Sequence, residues 1–259
     1  MMKRAAAAAP PHGGLSLPAS KDVSQPAARL LLAVDCATAP PSIALLRGTR
    51  TLLERRQSDQ HRTDAWIGAA LNACLQESGV VPADLDGLAV TVGPGTFTGV
   101  RVGIATCLGL AAPRKLPVAG VQTLEALAEA WSGEARLIAA CVDARRGQVY
   151  GAVFRPRPDQ ALPLSPCWGP AVDAPSAFAA ALEGFDEDLL LAGSGAALID
   201  AGAAVRRAGE TRALAAAAGR LAARGWPAKA EAPEWPAAEP LYLRPADAEP
   251  PKNPLLDRR

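Results

Sequence analysis

Residues 91–112 read TVGPGTFTGVRVGIATCLGLAA, with glycine at 93, 95, 99, 103 and 109 and one proline, Pro94. Across 87–112 the single charged side chain is Arg101. Three readings compete for such a stretch: a phosphate cradle, a membrane segment, or a close-packing surface. A Walker A loop ends in Gly-Lys-Ser/Thr, and no lysine stands here. A Rossmann turn wants a third glycine where this chain has Thr98, and an acid at the end of the next strand, PVAGV, which has none. A membrane span wants about 18 apolar residues or more without a break, and Pro94, Arg101 and the glycines interrupt this one. What remains is a strand-to-helix turn in which Thr96 and Thr98 are placed to cap the helix. Its first N–H groups offer a general anion site at Gly93, Gly95 and Thr96, as any helix start does.

The helix that follows says more. Gly99 and Gly103 are four apart and share a face, and each glycine costs a helix up to about 1 kcal/mol. A helix that keeps them needs another backbone close by. Val100, Ile104, Leu108 and Leu110 make its other side apolar too, so most of this helix wants burial. The segment HRTDAWIGAALNACLQESG predicts a second helix from about Thr63 to Ser78, with Thr63 or Asp64 at its cap and Gly79 at its end. Ile67, Leu71, Cys74 and Leu75 form one apolar stripe on it; Trp66, Ala69, Ala70 and Ala73 form another. Two arrangements fit: the two helices cover each other, or an apolar face is left for a partner.

Outward from these helices, RLLLAVDCA is a run suited to a strand buried on both faces. SIALLRG and TRTLLERRQ are two more strands, and LDGLAVTVG leads into the glycine turn. The order is β-β-β-α-β-α. The second half repeats it: RLIAACVDA, QVYGAVFR and LPLSPCW as strands, APSAFAAALEG as a helix, DLLLAGSG as a strand and AALIDAGAAV as a helix. Val-Asp closes the first strand of each half, at Asp35 and Asp143, and VGPG and AGSG close the fourth. Such agreement in element order indicates a duplicated α/β fold of two lobes. The helix in TRALAAAAGRLAARG and the final PLYLRP are expected to fold back across the second lobe.

The 259 residues are 49% hydrophobic and 20% charged, with a net charge of +1. No basic stripe of the kind that binds nucleic acid unaided stands out. The five cysteines lack any CxxC spacing and sit among apolar neighbours, as small buried hydrophobes do in a reducing cytosol. Only His12 and His61 are present, which leaves no histidine-rich metal site. Asp35 and Asp143 would face each other across an interlobe cleft, where a two-lobed phosphotransferase holds metal-bound nucleotide. Strand-ending aspartates also organise turns through their own backbone, and both readings stand.

Four segments, AVDCATAPPSIALL, GLAVTVGPGTFTGVRVGIATCLGLA, PVAGVQTLEALAEA and CVDARRGQVYGAVF, resemble in this order the bacterial TsaB family of tRNA threonylcarbamoyladenosine biosynthesis proteins. The resemblance runs well from about Leu30 to Phe154 and returns at LLLAGSGA and PLYLRP. It implies the duplicated actin-like, sugar-kinase-like fold, with a tail at 1–28, an N-terminal lobe at 29–115, a C-terminal lobe at 116–245 and a second tail at 246–259. It implies a cytoplasmic, non-catalytic subunit that supports TsaD in threonylcarbamoylating the adenosine next to the anticodon of ANN-reading tRNAs. The partners implied are TsaD as a heterodimer, TsaE through the TsaD complex, a second copy when alone, and tRNA through the complex only. No membrane and no resident cofactor are implied, with ATP or ADP at the partner interface left open. The family's contact surface maps onto Trp66, Ile67, Ala70, Leu71, Cys74, Gly99, Arg101, Val102, Gly103 and Thr106. TsaD's metal-binding His-x-x-x-His falls on Thr123 and Leu127, neither of which replaces an imidazole. The competing expectation is an ATP-dependent kinase-like or peptidase-like enzyme using Asp35, Asp143 and the GSG turn.

Overall fold

The computed structural model of the chain describes residues 28–58, 63–157, 160, 163–202, 205–226 and 236–244. The two expected tails, Ala28 aside, and His61 lie outside these residues, as do the side chains of Thr63 and Asp64.

The first strand, β1 (Leu30–Asp35), is buried along its whole length and lies at the centre of a five-stranded sheet. Around it stand β2 (Ser42–Arg47), β3 (Arg50–Arg56), β4 (Gly87–Thr91) and β5 (Val118–Val121), in the order β3-β2-β1-β4-β5. β2 runs antiparallel to β1, and β4 parallel to it. The second sheet repeats this with β6 (Leu137–Arg145), β7 (Gln148–Pro156), β8 (Leu164–Asp173), β9 (Leu189–Ala192) and the two-residue β10 (Arg206–Arg207). Its order, β10-β9-β6-β7-β8, is the same pattern read from the other end. The duplication expected from the sequence is therefore a duplication of topology.

Helices α1 (Thr63–Ser78) and α2 (Phe97–Ala111) cover one face of the first sheet. Helix α4 (Pro175–Leu182) covers the outer face of the second, with Phe178 fully buried there. The two remaining helices are exchanged. α3 (Thr123–Ala130) follows the first sheet, yet Leu124, Ala126 and Leu127 pack on Ile138 and Ala140 of the second. α5 (Ala215–Arg224) follows the second sheet, yet Ala215, Ala216 and Ala222 pack on Leu31, Ala33 and Leu46 of the first. Ser42 Oγ and Glu54 of the first sheet accept the amides of Ala215 and Ala216 at 3.1 and 3.0 Å, capping α5 across the fold. Glu129 of α3, almost fully buried, receives Arg220 and Arg224 of α5 at 3.0 and 2.9 Å. The alanine-rich sequence of α5 lets one helix lie close to both neighbours.

Three sequence expectations change here. β5 pairs with β4, so the strand expected in the second lobe belongs to the first sheet. Among the described residues of AALIDAGAAV, where a helix was expected, there is a single 3-10 turn, Ala196–Leu198. Arg207 donates to the carbonyls of Ala196 and Ile199 at 2.6 Å each, occupying acceptors that a longer helix would use. The final segment, 236–244, lies over the first lobe and reaches the second at Arg244, which donates to Gln148. The Gly120 amide of β5 donates to the Pro236 carbonyl at 2.9 Å, and the Leu241 amide donates to Val92 at 2.7 Å.

Candidate interaction site

At the C-terminal end of β1, the Asp35 carboxylate is wholly buried and accepts three hydrogen bonds. The Ala37 amide and the Thr91 hydroxyl reach Oδ1 at 2.9 and 2.6 Å, and the Thr38 hydroxyl reaches Oδ2 at 2.6 Å. Burial pushes its pKa up, and the donors from Thr38, Thr91 and Ala37 oppose that. Asp143 has the equivalent place. Its Oδ1 accepts the Arg145 amide at 2.7 Å, and Oδ2 lies 3.2 Å from the Arg145 guanidinium. Each aspartate thus holds its own turn by an Asx bond to the residue two ahead. Gly93 and Gly193 are matched as well, with φ of +110° and +109°, a backbone region that disfavours any Cβ. The gap at these turns, lined by Thr38, Ala39, Gly193 and Ser194, measures about 10 Å³, below the hundreds of Å³ usual for a ligand cleft. A cleft of about 470 Å³ opens elsewhere, lined among others by Glu54, Arg56, Arg212 and Arg220.

The glycine turn packs onto this first-strand turn. The Thr96 amide donates to the Ala37 carbonyl at 2.9 Å. Thr96 is the N-cap of α2, but its hydroxyl makes no capping bond. A Cβ on Gly99 would run into the Cys36 carbonyl, and one on Gly103 would sit 3.4 Å from Val90 and 3.5 Å from Cys36. The backbone that Gly99 admits is that of Cys36, just past β1 in the same chain, while Gly103 is buried against the side chains of Val90 and Cys36; neither is left for a second chain. Ile67, Ala70 and Cys74 of α1 are likewise buried in the chain's own core. Trp66, Leu71, Val102 and Thr106 are half-buried, and Arg101 is exposed.

The family-implied contact set leaves out residues on the outward face of these helices, although Leu108 and Ala69 stand in the apolar stripes read from the sequence. On α2 they are Phe97 and Leu108, each about half exposed (54% and 48%), with Ala105 and Gly109. On α1 they are Gly68 and Ala69. Gly68 and Gly109 differ from Gly99 in one respect: a Cβ at either would meet nothing within 4 Å. Phe97 and Arg101 also meet the final segment. The Arg101 guanidinium stacks 3.7 Å above the Phe97 ring, and its Nε donates to the Tyr242 hydroxyl at 3.0 Å. The Phe97 and Tyr242 rings are themselves stacked, 5.6 Å between centroids. Phe97 stood in the opening motif; nothing in the sequence pointed from it to Tyr242.

Thr123 and Leu127, the positions aligned with metal ligands, are buried at the start of α3. Among the described residues, no group of three or more His, Cys, Asp or Glu side chains is placed to hold a metal ion. None of the described helices is long and apolar enough to cross a membrane.

Two copies of a β3-β2-β1-β4-β5 sheet, with an aspartate turn at the end of each central strand, define the two-lobed actin-like class of α/β proteins. The family described as TsaD, tRNA N6-adenosine threonylcarbamoyltransferase, matches residues 55–198, more than half of the chain, and the chain belongs to that family. It is similar to TsaB, as its glycine motif led one to expect. TsaB of Escherichia coli (strain K12) is 38% identical over 128 residues, 48% of this chain and 54% of that protein. TsaB of Bacillus subtilis (strain 168) is 33% identical over 125 residues, 48% of this chain and 55% of that one. The chain spans about half the length of the curated relatives it matches. The solved structure of YeaZ from Pseudomonas aeruginosa superposes with a TM-score of 0.70 at 29% identity, covering 83% of this chain and 100% of that one.

Proposed function

We propose that this chain is a non-catalytic subunit in the making of threonylcarbamoyladenosine in tRNA, and that it acts by docking a TsaD-type paralogue on the outward face of α1 and α2. The observation that carries this reading is the pair Gly68 and Gly109. Each is an exposed helix glycine with open space where a Cβ would stand. Helix interiors lose up to about 1 kcal/mol by such a choice, and nothing in the chain's own packing offsets it. Close approach by another helix does. Ala69 beside Gly68, and Ala105 and Leu108 beside Gly109 on its helix, are exposed and uncharged, as the centre of a protein interface requires. A second copy of the chain fits the same face when the paralogue is absent. The locked aspartate turns, the narrow gap at them and the residues at 123 and 127 favour an auxiliary rather than a reacting role. ATP or ADP, if bound, belongs in this reading at the interface with the paralogue, and tRNA meets the assembled complex in the cytoplasm.

Ala105→Glu and Leu108→Glu place a carboxylate on this face without touching the core. Both variants are expected to keep the wild-type melting curve and to lose co-elution with the TsaD-type paralogue on size exclusion. Co-elution of both variants at the wild-type level would overturn the proposal. Gly103→Glu is no substitute, because Gly103 is buried within the chain.

A further inference from the structure

A line of arginines runs along one rim of the molecule, and the final segment joins it across the two lobes. Arg101 of α2 is tied to Tyr242. Two residues on, Arg244 donates to the side chain of Gln148 at the start of β7. Gln148 is the strand partner of Arg145, so the turn bearing Arg145 and Arg146 comes next along the rim. Tyr242 to Arg244 is about 7 Å of extended chain, so Arg101, Arg244 and the turn bearing Arg145 and Arg146 follow one another through these contacts. The turn is built to present its side chains. Arg145 and Arg146 both hold positive φ, 63° and 54°, which non-glycine residues seldom adopt and which costs on the order of 1 kcal/mol each. The Arg145 side chain is 80% exposed.

The row ends in rings. Phe97 and Tyr242 are stacked together and about half exposed, 54% and 47%, with the Arg101 guanidinium over the Phe97 face. Arg101 uses only Nε on Tyr242; its terminal nitrogens make no hydrogen bond among the described residues. Of the carboxylates near these arginines in sequence, Asp143 is held by Arg145, Glu239 stands three residues before Tyr242 and Asp247 three after Arg244. A protein partner would need a matching row of acids. A polynucleotide brings one phosphate with every residue and, where single-stranded, bases free to stack on exposed rings.

We infer that this rim binds a single-stranded RNA loop, with Arg145, Arg146 and Arg244 on its phosphates and the Phe97–Tyr242 pair, braced by Arg101, stacking its bases. Its rings stand at the N-terminal end of α2, about 18 Å along the helix from Gly109. It deepens the reading above only in saying which surface of this subunit meets the tRNA. Four arginines make a modest electrostatic site, so binding by the chain alone is weak and salt-sensitive, and the rim acts chiefly within a complex that adds RNA-binding surface of its own.

The test uses full-length chain together with its TsaD-type paralogue and a hairpin RNA carrying an anticodon-like loop, with a blunt duplex RNA as control. Arg145→Glu with Arg146→Glu is expected to weaken hairpin binding at least tenfold. It should also lower the slope of log affinity against log salt by about 0.7 for each phosphate that is no longer neutralised. Tyr242→Ala is expected to weaken the hairpin about tenfold and the duplex little. Unchanged hairpin affinity in both variants, or equal weakening for hairpin and duplex, overturns the inference. Dissociation of the paralogue from these variants, with RNA affinity kept, would assign the rim to a protein instead. Failure of the Ala105→Glu and Leu108→Glu experiment with the RNA result intact would overturn the docking proposal and leave this one standing.

Discussion

Gly99 of α2 faces the backbone carbonyl of Cys36, at the end of the central strand, so closely that a methyl group would not fit between them. Gly109, ten residues on in the same helix, faces open space. One glycine is required by the chain's own core; the other is not.

The two positions therefore respond in opposite ways to alanine. Gly99→Ala is expected to destabilise the isolated chain by about 3 kcal/mol, since the obstacle is backbone and cannot swing aside. Gly109→Ala is expected to leave the isolated chain as stable or up to about 1 kcal/mol more stable, by helix propensity. Urea unfolding of the purified chain checks both. If Gly109→Ala also weakens pairing on size exclusion, its glycine serves a partner.

Asp35 is the acceptor for two hydroxyls and one amide in a buried site. Asp35→Ala strands those donors and is expected to cost about 3 kcal/mol. Asp35→Asn separates the charge from the shape. The native pKa of Asp35 is raised above its ordinary value of 3.8, so the native state holds this proton more tightly than the unfolded chain. The wild type's stability relative to Asp35→Asn is then greatest in acid. It falls as pH rises from about that ordinary value through the raised native one. A urea series across that range that shows the difference growing with pH would contradict this.

Thiol chemistry should single out one cysteine of five. Cys36, Cys74, Cys107 and Cys141 are buried, and Cys167 is exposed on β8. Burial pushes the Cys74 thiol up to about 11 and those of Cys107 and Cys141 to about 12, and raises that of Cys36 further. Near neutral pH the nucleophilic thiolate is therefore suppressed at these four. A maleimide probe is expected to label Cys167 alone in the native chain and all five in urea, read by intact mass and peptide mapping.

The final segment protects an edge strand. The Gly120 amide on β5 donates to Pro236, so a chain ending at 235 leaves that amide exposed. Amide exchange at Gly120 is expected to rise at least tenfold in the truncated chain, while exchange at Ala33, in the central strand, changes little. Equal exchange at Gly120 in both chains would show that the segment does not hold β5.

Much of this was readable beforehand, for a local reason. The helix at 63–78, the buried run at 30–35 and the duplicated Val-Asp and Gly-x-Gly turns are written in periodicity, burial pattern and glycine placement, which act within a few residues. The exchanged helices were not. α5 takes its caps from Ser42 and Glu54 in the other half of the chain, and no local signal joins them. Its run of alanines fits a helix pressed on two sides, but equally a helix exposed on one. The 3-10 turn at 196–198 was misread because its competitor, Arg207, stands several residues downstream. Phe97, Arg101 and Tyr242 were individually visible, and their meeting depended on where the final segment lay.

The sequence by itself determined most of the elements, their duplication and the family, because each rests on short-range pattern. It also determined that the 91–112 stretch is neither a Walker loop nor a membrane span. Five glycines in that stretch looked alike, because a glycine carries no side chain by which to say what it faces. Only the tertiary structure separated them, by setting the Cys36 carbonyl against Gly99 and open space before Gly109. What an absent methyl group makes room for is a property of its neighbours, and these come from elsewhere in the chain.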